Sequence, residues 1–256
     1  MPWIDTHTHL FLEEFNADRT DVVQRAISAG VEVMLMPNVD VSTVDALMKT
    51  ASSFPKNCWP MMGLHPTSVK EDYNEQLEQI EQLLRTKKFI AVGETGIDLY
   101  WDKSFFQQQV ESFKRQIELA LELSLPIVIH SRESLQEIFD VLESYKGSGL
   151  TGVFHCFPGN IQQAEKVIDM GFVLGIGGVV TFKNSMMGKV VEHVGLEHLV
   201  LETDSPYLAP APHRGKRNQS AYIPLVGQKV AELTGQSTTK VAEVTTYNAR
   251  RVFGIK

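Results

Sequence analysis

The 256-residue chain has only two cysteines, Cys58 and Cys156, too few for a disulfide framework. That scarcity points to a reducing compartment, and the cytoplasm is the expected location. No apolar run approaches the roughly 18 residues that a membrane span requires. Acidic and histidine residues begin at Asp5, so the first residues do not read as a secretory leader. Positive charge is also scarce: 24 Lys and Arg against 31 Asp and Glu give a formal net charge of −7. A wide basic groove for long duplex nucleic acid is not expected from that balance, although a small basic patch is compatible with it. Low-complexity segments, short-period repeats and linkers rich in Pro, Gly or Ser are missing too. No G-x-G-x-x-G follows the first strand and no G-x-S-x-G elbow occurs, which argues against a dinucleotide-binding sheet and a serine hydrolase. With 43% hydrophobic and 21% charged residues, the chain suits a single soluble domain over 1–256, expected as a monomer.

What is present is a rhythm. Apolar stretches of strand length occur at "WIDTH" (3–7), "VEVMLMP" (31–37), "CWPMMGL" (58–64) and "FIAVGET" (89–95). They continue at "PIVIH" (126–130), "TGVFH" (151–155), "FVLGIG" (172–177) and "HLVLETD" (198–204). Segments with a period near 3.6, such as "TVDALMKTASSF" and "NEQLEQIEQLLR", separate them. Strands with continuous apolar cores, each followed by a helix, predict a parallel sheet covered on its outer face. Eight repeats of the unit favour closure, so the expected fold is α/β, a TIM-type (β/α)8 barrel. The tail "STTKVAEVTTYNARRVFGI" predicts an extra C-terminal helix with a Ser/Thr cap.

In such barrels the C-terminal strand ends carry the chemistry. Five of the eight histidines, His7, His9, His65, His130 and His155, fall at or just past a strand end. If those ends occupy about a tenth of the chain, chance places roughly one there. Glu94, Glu202 and Asp204 sit at the same positions, where a charged carboxylate is costly unless a cation or donors meet it. A lone strand-end histidine is more often a structural residue. Four imidazoles and two carboxylates on one rim are better explained as ligands of two divalent metal ions, with Mg, Mn and Zn the candidates. Glu94 lies between the histidine groups in strand order and suits a bridging role. Asp204 follows the last strand, beside His7 and His9 once a barrel closes, and suits a general base. Cys156 follows His155 on the same run, so alternation turns it the other way, into the core.

Seven ordered stretches, "DTHTHL" (5–10), "GLHP" (63–66), "GETGID" (93–98), "IVIHSRE" (127–133), "FHCFPG" (154–159), "LETDSPYL" (201–208) and "RGKRN" (214–218), span the chain from end to end. On them the sequence resembles the TatD family of metal-dependent deoxyribonucleases, in the amidohydrolase-like group of barrel hydrolases. The resemblance implies that His7, His9, Glu94, His130, His155 and Asp204 are metal ligands, with Glu94 and Asp204 catalytic. It implies that His65 lines the site and that Glu202 supports the ligands. It also implies DNA as substrate, in single strands or at 3′ ends, cleaved by a 3′–5′ exonuclease. Arg132, Arg214, Lys216 and Arg217 are the expected phosphate contacts, and Tyr100 and Trp101 are candidates for stacking on an unpaired base or for capping the barrel. One departure stands out: the family's "RGKRNEP" reads "RGKRNQS" here, with Gln219 and Ser220, which predicts a looser loop or a shifted substrate preference. The competing function is a metal-dependent amidohydrolase or lactonase acting on a small carbonyl substrate. A non-catalytic binding protein on the same scaffold is the third reading.

Overall fold

The computed structural model describes residues 2–255, so the single unit expected over 1–256 extends one residue past them at each end. Among the described residues eight strands occur in chain order: β1 (Trp3–Asp5), β2 (Val31–Met36), β3 (Cys58–Pro60), β4 (Val92–Asp98), β5 (Ile127–Arg132), β6 (Gly152–Phe154), β7 (Phe172–Ile176) and β8 (Leu199–Leu201). Every pairing within the two ladders, β1-β2-β3 and β4-β5-β6-β7-β8, is parallel. Two sets of backbone contacts join the ladders into a closed cylinder. Gly93 N donates to Met62 O at 2.9 Å on one side, and Thr6 N donates to Leu201 O at 3.0 Å on the other. A parallel bridge between Thr8 and Ser205 reinforces the second seam, where a side-chain contact of 2.6 Å joins the same two residues.

Helices alternate with the strands: α1 (Arg19–Ser28), α2 (Val44–Ser53), α3 (Tyr73–Thr86), α4 (Phe106–Leu123), α5 (Leu135–Glu143), α6 (Ile161–Asp169), α7 (Met187–Val194) and α8 (Ile223–Thr234). The expected extra helix is α9 (Thr238–Phe253), whose Ser237 side chain accepts from Lys240 N at its start. None of the described helices is long and apolar enough to cross a membrane.

Two apolar layers result. The larger lies between barrel and helices and includes Leu10, Phe15, Phe113, Ile117 and Phe154. The smaller fills the cylinder with Ile4, Val33, Leu35, Met61, Ala91, Val128, Val153, Val173 and Val200, supplied from every strand or its immediate flank. Ala249 and Phe253 of α9, with Ile255, complete this inner layer at the N-terminal rim. Asn248 anchors the helix there by donating to the carbonyls of Leu196 and Leu199, both at 2.8 Å. Gly254 turns the chain back at φ 65°, a left-handed conformation that costs glycine nothing. The α9 segment thus fills the barrel axis at this rim, and the polar strand ends gather at the opposite, C-terminal mouth.

Candidate active site

The regular ladder ends before most of the polar side chains begin. His7 and His9 follow β1, His65 follows β3, His155 follows β6, and Glu202 and Asp204 follow β8, whereas Glu94, His130 and Arg132 lie within strands. All of them are brought together at the mouth, where His9, His65, Glu94, His130, Arg132, His155 and Asp204 wall one cavity of about 640 Å3. His7 lies beneath it and is fully buried.

Glu94 is the centre of the arrangement. Its Oε2 lies 3.1 Å from His7 Nε2 and 3.8 Å from His9 Nε2. Its Oε1 faces another way, 2.9 Å from His130 Nδ1, 3.4 Å from His65 Nε2 and 3.8 Å from His155 Nε2. Asp204 Oδ1 closes the first group at 3.4 Å from His9 Nε2 and 3.9 Å from the Nε2 atoms of His7 and His155. The Nε2 atoms of His7 and His9 stand 3.2 Å apart. Nitrogen and oxygen ligands about 2.0–2.2 Å from a shared cation are spaced by just such distances, so the donor set fits a divalent metal. His7–His9–Glu94, His7–His155–Asp204 and His65–Glu94–His130 each meet that geometric condition. His65, expected as a substrate contact, thus stands among the potential ligands.

The electrostatics agree with a cation site. Burial alone would raise the Glu94 carboxyl, but His7, His65, His155 and the contact from His130 hold it well below the usual carboxylate range. Burial likewise opposes ionisation of Asp204, and His155, His9 and His7 outweigh it. His155 is buried yet pushed up to about 10, because Glu202, Glu94 and Asp204 surround it. These acids form an anionic enclosure with little access to water.

Supporting contacts orient the donors. Glu202 is fully buried, and its Oε1 lies 3.0 Å from His155 Nδ1 while accepting from Cys156 N at 2.6 Å. Gly175 makes that possible, since a Cβ there would collide with the Glu202 carboxylate. Asp98 went unrecognised in the sequence. Its Oδ2 lies 2.8 Å from His130 Nε2, so an ionised Asp98 keeps the proton on that nitrogen and orients the ring with Nδ1 facing the Glu94 side of the cluster. The signal was available: Asp98 shares strand parity with Glu94 on β4. Asp5, beneath His7, is fully buried and accepts from Thr203 N and Thr203 Oγ1 at 2.9 and 2.6 Å, bracing the β1–β8 seam.

Other expectations need correction. Cys156 is not a core thiol: β6 has ended at Phe154, the backbone at Cys156 has φ 43°, and the residue lines the cavity. Of the four cations expected to contact phosphate, only Arg132 lines this cavity. Arg217 is turned away, 2.6 Å from Asp18 and bonded to the Glu14 carbonyl. Arg214 lies 4.5 Å over the Phe182 ring, beside a different cleft. Lys216 is exposed on the same loop and lines neither. Nor is that loop slack. Asn218 donates to the carbonyls of Thr203 and Tyr207 at 2.7 Å, Gln219 accepts from Arg25, and buried Ser220 contacts Thr8.

The comparisons with known proteins agree with this geometry. The family model described as "TatD related DNase" matches residues 4–254. A Bacillus subtilis (strain 168) protein named "Uncharacterized metal-dependent hydrolase YabD" is 36% identical over 252 residues, covering 98% of each chain. A Pectobacterium parmentieri (strain WPP163) protein named "3'-5' ssDNA/RNA exonuclease TatD" is 31% identical over 255 residues, 97% of this chain and 98% of that one. The solved structure of YjjV, a TatD homolog from Escherichia coli K12, superposes with a TM-score of 0.93 at 29% identity, covering 99% of this chain and 98% of that one. The chain therefore belongs to the TatD-related DNase family.

Proposed function

We propose that this member of a family of metal-dependent hydrolases cleaves phosphodiester bonds, removing nucleotides from the 3′ end of single-stranded DNA. The observation that carries the proposal is the divided carboxylate of Glu94, each oxygen turned toward a different group of imidazoles. On this reading His7, His9 and Asp204 would hold one divalent ion and His130 and His155 a second, with His65 nearby and Glu94 placed between the two groups. A divalent ion held there, whether Mg, Mn or Zn, would supply acidification of water and charge neutralisation at a phosphodiester.

The chain's own residues do the rest. Asp204 has a side chain 15% exposed to the cavity and is held ionised by its histidine neighbours, so it can accept the proton of an attacking water. Asp98 fixes the ring of His130, and the Glu202 carboxylate lies against His155 Nδ1. Arg132 offers an anion contact at the same wall. A cavity of about 640 Å3 suits a terminal nucleotide and its neighbour better than a duplex. The name of the Pectobacterium relative supports the substrate and polarity.

The test is a 5′-labelled single-stranded oligonucleotide incubated with purified protein and Mg2+ or Mn2+. A ladder shortening from the 3′ end, abolished by EDTA and weakened by salt, is the expected result. Hydrolysis confined to amides and lactones would replace this reading with that of a small-molecule hydrolase.

A further inference from the structure

The mouth also carries two large aromatic side chains in water. Tyr100 is 48% and Trp101 67% exposed, on the loop between β4 and α4. Their rings meet edge to face with centroids 4.9 Å apart. The guanidinium of Arg132, at the end of β5, lies 3.8 Å over the Tyr100 ring and 5.3 Å from that of Trp101. Among the described residues no acid pairs with Arg132. Trp101 and Arg132 share the cavity wall with Glu94 and Asp204, so these groups open onto the same space as the donor cluster.

The loop is also fixed relative to that cluster. Asp98 Oδ1 accepts from the backbone N–H of Tyr100 at 2.9 Å and of Trp101 at 3.1 Å. The other oxygen of the same carboxylate faces His130 Nε2. Gln109 clamps the loop's inner side, accepting from Asp98 N at 2.8 Å and donating to Asp98 O at 3.2 Å. Lys70 reaches Asp102 at 2.9 Å and holds the outer side. A single carboxylate therefore sets both the orientation of His130 and the position of the aromatic pair.

We infer that Trp101, Tyr100 and Arg132 form a subsite for one unpaired nucleobase next to the scissile phosphate. The inference rests on the phosphodiesterase reading and deepens it. An exposed indole offers a sequence-tolerant stacking surface that any base can use. Arg132 lies across the Tyr100 ring and keeps its N–H edge for a phosphate oxygen. Paired bases are already stacked within a duplex and cannot use the platform, so the subsite selects single strands.

The experiment compares an ordinary single-stranded oligonucleotide with one whose 3′-terminal nucleotides are abasic, using wild type, Trp101→Ala and Trp101→Phe. Trp101→Ala is expected to raise KM about tenfold on the ordinary strand, with kcat nearly unchanged, and to leave the abasic strand unaffected. Trp101→Phe should retain most of the wild-type KM. An equal effect on both strands, or no effect on either, overturns the subsite while leaving the nuclease reading intact. A separate readout needs no turnover: tryptophan fluorescence of the Mg2+-loaded protein titrated with each strand in a form with non-hydrolysable linkages. Quenching by the base-bearing strand, absent with the abasic strand and absent in Trp101→Phe, supports the subsite even if no strand is hydrolysed. No quenching in wild type overturns it.

Discussion

The two rims of the barrel bury their residues by opposite rules. At the N-terminal rim Phe253 and Ile255 press onto Val153, Val173 and Val200, an apolar contact with nothing left to pair. At the mouth the buried residues are His7, His9, Glu94, His155 and Glu202. There the Nδ1 atoms of His7 and His9 and the Oε2 of Glu202 have no hydrogen-bond partner. Asp204 and Cys156 have φ of 55° and 43°, a left-handed conformation that costs about 1–3 kcal/mol for a residue with a Cβ. One end of the cylinder supplies stability, and the other gives up part of it to hold charged groups together.

That contrast can be broken first at the mouth. Asp204→Asn is expected to lower kcat by about 10²–10⁴, the usual range for losing a general base. Its melting temperature in EDTA should match or exceed that of wild type. Full retention of hydrolysis would remove the assigned base. At the opposite rim Phe253→Ala should cost about 3–5 kcal/mol in urea unfolding, with the activity of each folded molecule unchanged. Loss of turnover there without loss of stability would erase the distinction between the rims.

Chelation comes next. A divalent ion at 100 times its dissociation constant should add about 2.7 kcal/mol to the unfolding free energy, and Glu94→Gln should abolish that increment. Asp98→Asn tests how far the mouth depends on support. The expected loss of metal affinity is about 10–100-fold, read by isothermal titration. The smallest effect concerns the exposed pair of Lys70 and Asp102, in which the Lys70 ammonium draws the Asp102 carboxyl down to about 2. A lowered folded-state value means that the pair's stabilisation is present above the ordinary carboxylate range and fades as pH falls toward 2. Lys70→Met should flatten that acid limb in melting curves recorded from pH 5 to pH 2.

Much of this was legible in the residue order because a barrel forces polar groups to the ends of apolar runs. His7, Glu94, His130, His155 and Asp204 each stand at or next to the end of such a run, and the closed cylinder brings those ends onto one rim. What was missed depends on where regular alternation stops. Asp98 was overlooked because β4 runs three residues further than its apolar stretch, to Asp98 itself. Cys156 was misplaced because β6 ends two residues before it. The basic loop misled for another reason: nearness in sequence to Asp204 says nothing about direction, and Arg217 is drawn off by Asp18 across the surface.

The seam that joins β1 to β8 unites the edges of two separate ladders. His7 and His9 follow the edge strand of one ladder, whereas Glu94, His130, His155 and Asp204 belong to or follow strands of the other. Neither ladder alone therefore carries the complete donor set, and the cluster exists only while both seams of the cylinder stay shut.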